Sequence, residues 1–115
     1  MSVKTLMLAL RVPTEQVTVD GVGTVTIRGL TAAGRDEWEQ RIVASKGKPV
    51  RNIRASLVSL CMFDSDTRVF ESSEIEALGE LPAQVVDRLY DIASKLSGMG
   101  QQDKDANEGN SQSAP

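Results

Sequence analysis

The stretch from Asn52 to Phe63 sets the tightest limit on how this chain can fold. It reads Asn-Ile-Arg-Ala-Ser-Leu-Val-Ser-Leu-Cys-Met-Phe. At helical spacing Ile53, Leu57, Leu60 and Cys61 share one face, and Val58 and Met62 form a second face beside it. A helix apolar over that much of its circumference is buried between neighbours. Ile53, Leu57, Leu60 and Cys61 are therefore the expected core hub, and the other segments are expected to pack their single stripes on it.

Those segments follow from periodicity and punctuation. Residues 3–12 hold Leu6, Met7 and Leu10 on one helical face before Pro13. A short helix is favoured over a strand there, with Pro13 as its stop. Val17, Val19, Val25 and Ile27 alternate with Thr18, Asp20, Thr24 and Thr26. Period two with β-branched residues predicts half-buried strands, and Asp20-Gly21 with Gly23 predicts the turn of a hairpin. A lone hairpin is marginal in water, so its valine face needs helices, a third strand or another subunit. Thr31 is a natural N-cap for a helix to about Ala44, with Trp38 and Ile42 on one face and Lys46-Gly47-Lys48-Pro49 ending it. Asp64-Ser65-Asp66 predicts a turn, and Thr67–Phe70 is either a brief strand or a loop. Ser72 or Ser73 is expected to cap a short helix ended by Gly79. Pro82 suits the first turn of a last helix carrying Val85, Val86, Leu89, Ile92, Ala93 and Leu96, closed by Gly98. From Gly100 on no large apolar residue appears, which predicts a disordered polar tail over 100–115. The expected architecture is α+β: a single domain over 1–99, with an N-terminal β-hairpin packed on a small bundle of about four helices.

Composition narrows the function. At 115 residues the chain is the size of one domain, and 40% hydrophobic with 25% charged residues is ordinary for a soluble globular protein. The net charge of −3 argues against nucleic-acid binding, which needs a basic stripe. No stretch approaches the roughly 20 apolar residues of a membrane span. The apolar run near the start is short and broken by Arg11, unlike a signal peptide. With one cysteine and no histidine, the chain has no internal disulfide and lacks the commonest general base and metal ligand. A cytoplasmic protein is expected.

No group looks catalytic. Gly21-Val22-Gly23 lacks the third glycine and the Lys-Ser pair of a phosphate loop. Asp64 and Asp66 resemble the start of a calcium loop, but Val69 and Ile75 stand where its glycine and its last glutamate belong. Cys61 sits in the most apolar segment with no histidine to activate it. Lys46, Lys48, Arg51 and Arg54 read as a solvated face or as contacts to an acidic partner. An enzyme, a cofactor and a metal site are all unexpected. Leu6, Leu10, Trp38 and Tyr90 are either interface anchors or core.

The order of segments is more informative than any one of them. A valine hairpin ends Thr26-Ile27-Arg28-Gly29-Leu30-Thr31, and Gly34-Arg35-Asp36-Glu37-Trp38-Glu39 follows. Then come Leu57-Val58-Ser59-Leu60-Cys61-Met62-Phe63-Asp64, Arg68-Val69-Phe70, Leu81-Pro82-Ala83-Gln84-Val85-Val86-Asp87-Arg88-Leu89 and Lys95-Leu96-Ser97-Gly98. This ordered set, over residues 16–99, resembles the tail assembly chaperones of bacteriophages with long non-contractile tails and of related prophages. The resemblance implies a non-enzymatic protein of the host cytoplasm, absent from the finished virion. It implies binding of a tape measure protein in many copies, which keeps that protein soluble, and help in recruiting tail tube subunits. It also implies self-association and a longer frameshifted form as a partner, the polar tail fitting the shorter product. The family has no catalytic residues to carry over.

Tape measure segments are amphipathic helices, and helix recognition uses an apolar groove. The expected partner-binding residues are Leu6, Met7 and Leu10 in the first segment, Trp38 and Ile42, and Val86, Leu89 and Tyr90 in the last helix. A structural tail or head–tail component retained in the virion is the alternative reading.

Overall fold

The computed structural model describes residues 2–99, so the predicted tail lies outside the described residues. Among the described residues, five α-helices and a four-stranded antiparallel sheet make an α+β fold. The elements are α1 (Val3–Leu8), β1 (Thr14–Val19), β2 (Gly23–Arg28), α2 (Ala32–Ala44), α3 (Ile53–Cys61), β3 (Met62–Asp64), β4 (Thr67–Arg68), α4 (Ile75–Gly79) and α5 (Ala83–Leu96). A single 3₁₀ turn, Ser72–Glu74, leads into α4.

The hairpin forms as the alternation requires. Val17 pairs with Val25 across the ladder, and both are buried. Gly21 and Gly23 take positive φ in the turn, where a side chain would be strained. The other face carries Gln16, Thr18, Thr24 and Thr26, and Gln16 Nε2 donates to Thr26 Oγ1 at 3.4 Å.

The valine face is completed by a third strand that sequence periodicity assigned to the hub helix. α3 stops at Cys61, Met62 turns extended, and Met62–Asp64 pairs with β2 as Ile27 opposite Met62 and Thr26 opposite Phe63. Pairing here satisfies the second edge of β2 and lets Met62 extend the buried face. β4 then pairs with β3 around a turn that Arg28 pins. Its guanidinium stacks 4.1 Å from the Phe63 ring centroid, pairs with Asp66 at 2.8 Å and donates to the Ser65 carbonyl.

α3 packs against α5 on one side and α4 on another, and α5 in turn covers β1 and β2. Leu57, Val58 and Cys61 are fully buried, Ala55 nearly so, whereas Ile53 and Leu60 are only half-buried. The hub is thus rotated from the expected face, because α5 and α4 cover it more completely than α2 does. Its serines bury without penalty by bonding the preceding turn: Ser56 Oγ donates to the Ile53 carbonyl and Ser59 Oγ to the Ser56 carbonyl. Arg68 Nε donates to the Ser59 carbonyl at 2.6 Å.

α5 presents Val86, Leu89 and Ala93 to this core and is tied to the sheet along its length. Arg88 donates to the Thr18 carbonyl, and Ser97 Oγ accepts from the Leu30 amide at 2.9 Å. Gly29 is needed beside them, since a Cβ there would run into the Leu96 carbonyl. Two predicted caps shift. Glu71, not a serine, caps the 3₁₀ turn through a box with Glu74, and Pro82 stands at the N-cap of α5.

Candidate partner surface

Two elements lie outside this packing scheme. The first is α2. Thr31 caps it by accepting from the Gly34 amide at 3.0 Å, and Lys46 and Gly47 leave it through positive φ. Its sequence, Ala-Ala-Gly-Arg-Asp-Glu-Trp-Glu-Gln-Arg-Ile-Val-Ala, has almost no stripe, and the helix buries no residue fully. Trp38 anchors it by donating Nε1–H to Ser56 Oγ at 3.2 Å, and Arg41 donates to the Arg51 carbonyl at 3.3 Å. Between α2 and α3 remains an open groove of about 440 Å³, lined among others by Trp38, Ala44, Leu60 and Ile75 with Glu37 on its rim. A second cleft of about 350 Å³, lined by Val12, Leu30 and Phe63, shares Leu60 and Glu37 with the first.

The second element is α1. Ser2 caps it by accepting from the Thr5 amide, and Arg11 closes its end by donating to the Leu8 and Leu10 carbonyls at 3.0 and 2.9 Å. No residue of α1 is buried. Val3, Leu6, Met7, Leu8 and Leu10 keep 76%, 55%, 61%, 71% and 70% of their surface exposed. Scattered exposed apolar residues are normal, but five within eight positions form a patch that marks an interaction site.

The predicted partner residues therefore divide. Leu6, Met7 and Leu10 stand on the exposed arm. Trp38 is half-buried at the groove, and Ile42 is half-buried on the same helix. Val86 and Leu89 need correcting: they are 7% and 2% exposed and pack in the core, so a partner meeting the folded chain does not touch them. The apolar stripe of α5 is consumed by α3 and the sheet. Tyr90 is half-buried beneath Arg54, 5.7 Å from the ring centroid, and Arg54 pairs with Asp87 at 3.2 Å. Val3, Leu8 and the groove side of Leu60 join the surface although periodicity did not single them out. The groove itself has one sequence signal, the missing stripe of α2, which leaves that helix unable to seal against α3.

The surface offers binding and little chemistry. Burial pushes the Cys61 thiol up to about 12, against a hydrogen bond from Ser97 and the charge of Arg68 that pull it down. Such a thiol is not a nucleophile near neutral pH. Asp66 is paired with Arg28, and among the described residues no three acidic or thiol groups gather to hold a metal ion. Among them no helix is long and apolar enough to cross a membrane.

No family model and no curated protein matches the chain. A solved structure does: the chain is similar to the bacteriophage HK97 tail assembly chaperone, with a TM-score of 0.59 at 24% identity. The match covers 83% of this chain and 98% of that one. The two proteins share a fold.

Proposed function

We propose that this chain is a tail assembly chaperone of a bacteriophage with a long non-contractile tail. In this reading several copies bind helical segments of a tape measure protein and keep it soluble in the host cytoplasm. They also help bring tail tube subunits to it and are left out of the finished virion. A longer frameshifted form of the chain is a further partner in this reading.

The observation that carries it is the exposed apolar arm together with the Trp38–Leu60 groove, on a fold like that of a tail assembly chaperone. An amphipathic helix in water has one apolar face to hide, and an apolar surface reads it through anchors at i, i+3, i+4 and i+7. The exposed arm carries five apolar side chains in eight positions, which suits a carrier of helical segments better than a site for one small molecule.

Co-expression with the tape measure protein of the same tail gene cluster tests it. The tape measure protein is expected to become soluble and to copurify. Replacing Leu6 and Leu10 by lysine is expected to lower recovery about tenfold, the equivalent of ~1.4 kcal/mol. Equal insolubility with and without this chain refutes the reading. Stoichiometric presence of the chain in purified particles, by mass spectrometry, replaces it with a structural tail component.

A further inference from the structure

Positive charge is gathered in one place on this chain. Residues 41–54 hold Arg41, Lys46, Lys48, Arg51 and Arg54 and no acidic residue, whereas the rest of the chain sets eight cations against sixteen acids. A turn of charge +5 thus stands on a body of charge −8. From this we infer that the turn between α2 and α3 is a docking surface for a short acidic segment of a partner protein. The inference goes beyond the chaperone reading and is independent of the apolar arm.

The fold brings the five together. Arg41 donates from its guanidinium to the Arg51 carbonyl at 3.3 Å, which ties the end of α2 to the start of α3. Lys46 and Lys48 lie on the turn between them, and Arg54 follows Arg51 by about one helical turn. All five are exposed. The ion pairs among the described residues are Arg28–Asp66, Arg35–Glu39, Arg54–Asp87 and Arg68–Glu71. Among those residues, Arg41, Lys46, Lys48 and Arg51 therefore have no acidic partner.

Stability does not account for the cluster. Arg41 and the two lysines stand at the C-terminal end of α2, where cations suit the helix dipole. Arg51 and Arg54 flank the N-terminal end of α3, where the dipole repels them. That end has no acid in its first turn and no side-chain cap. Lys46 takes a φ of 55°, a conformation that costs a lysine more than a glycine. Like charges held this close repel one another until an anion lies among them.

The borders of the patch choose the occupant. Asp87 stands 3.2 Å from Arg54 on one side, and Glu37 and Glu39 precede Arg41 within one turn of α2 on the other. Duplex DNA carries a charge every ~1.7 Å along its axis, so a nucleic acid laid on the patch runs on over these acids. A peptide with a few carboxylates ends within it. Each exposed carboxylate–cation pair adds only about two- to fivefold in affinity, so the partner needs several acids in one run.

Fluorescence anisotropy with the full chain tests this. The probe is a labelled peptide alternating glutamate and glycine, and its glutamine counterpart is the control. The glutamate peptide is expected to bind and the glutamine peptide to stay free. Lys46→Gln with Lys48→Gln is expected to weaken binding by about four- to 25-fold, the product of two exposed pairs. Lys4→Gln with Lys95→Gln changes the net charge equally outside the patch and is expected to leave binding within about twofold. Equal losses in the two double variants overturn the inference, as does no saturable binding up to about 1 mM peptide. Tighter binding of a single-stranded oligonucleotide of equal charge also overturns it, making the surface a nucleic-acid site. So does tighter peptide binding after Asp103→Asn, Asp105→Asn and Glu108→Gln, which makes the chain's own polar tail the occupant. Arg51→Glu separates docking from a structural role. It is expected to weaken peptide binding while raising the melting temperature, because an acid suits the start of α3. A lower melting temperature shows that the cation serves the fold and overturns the inference too.

Discussion

Leu57→Ala tests the packing scheme at its centre. Leu57 is 0% exposed in α3, the helix that packs against α5 and α4. The change removes three carbons. At about 0.8 kcal/mol each the lost transfer energy is ~2.4 kcal/mol, and the cavity left between rigid neighbours adds about 1 kcal/mol or more. A loss of about 3–4 kcal/mol is expected, out of the roughly 5–15 kcal/mol available to a domain. Leu60→Ala is the control. Leu60 sits three residues on in the same helix but is half-buried on the groove side, so its neighbours can relax and about 1 kcal/mol is expected. Urea titration by far-ultraviolet circular dichroism measures both, at one protein concentration, so that any self-association contributes equally to each. Unchanged m-values are expected for the two variants. Equal losses at the two sites, or a loss below about 1 kcal/mol at Leu57, refute the rotated hub.

The thiol of Cys61 makes stability depend on alkaline pH. Burial raises its folded pKa from 9.0 to about 12, so the unfolded chain loses this proton first. The contribution is fully present below pH 9 and falls by up to ~1.4 kcal/mol per pH unit between about 9 and 12. Cys61→Ala is expected to flatten that slope in denaturation curves at stepped pH. Gly29→Ala is expected to lower stability by about 1–3 kcal/mol in thermal melts, since its Cβ meets the Leu96 backbone and not a flexible side chain. Trp38→Phe removes the bond to Ser56 and is expected to raise amide exchange in α2 while α3 and α5 keep their protection. Equal loss of protection in all three helices shows that α2 is part of the cooperative core.

The hairpin, the Thr31 cap and the long helices were legible because each is written locally. Val17, Val25 and Ile27 alternate with threonines, Thr31 supplies a hydroxyl at the right place, and Val86, Leu89 and Ala93 repeat at helical spacing. Met62–Asp64 was not legible as a strand. Its apolar residues continue the helical pattern of α3, and only the open edge of β2 pulls them into extended form. The partner surface was half legible. Leu6, Met7 and Leu10 were singled out by their apolarity, but the same criterion singled out Val86 and Leu89, and an apolar residue looks the same whether or not a neighbour covers it.

The sequence by itself determined the hairpin and the long helices, that the chain is an acidic α+β protein, and that it lacks histidine and has a single cysteine. Periodicity, capping groups and turn glycines act over four or five residues, so they survive without the rest of the fold. Tertiary structure decided which apolar stripes are used up. α5 has a stripe and finds the core, α2 has almost none and leaves a groove, and α1 has one that the fold leaves uncovered. Burial belongs to pairs of surfaces, and the pairing is set by distances along the chain that no single segment contains.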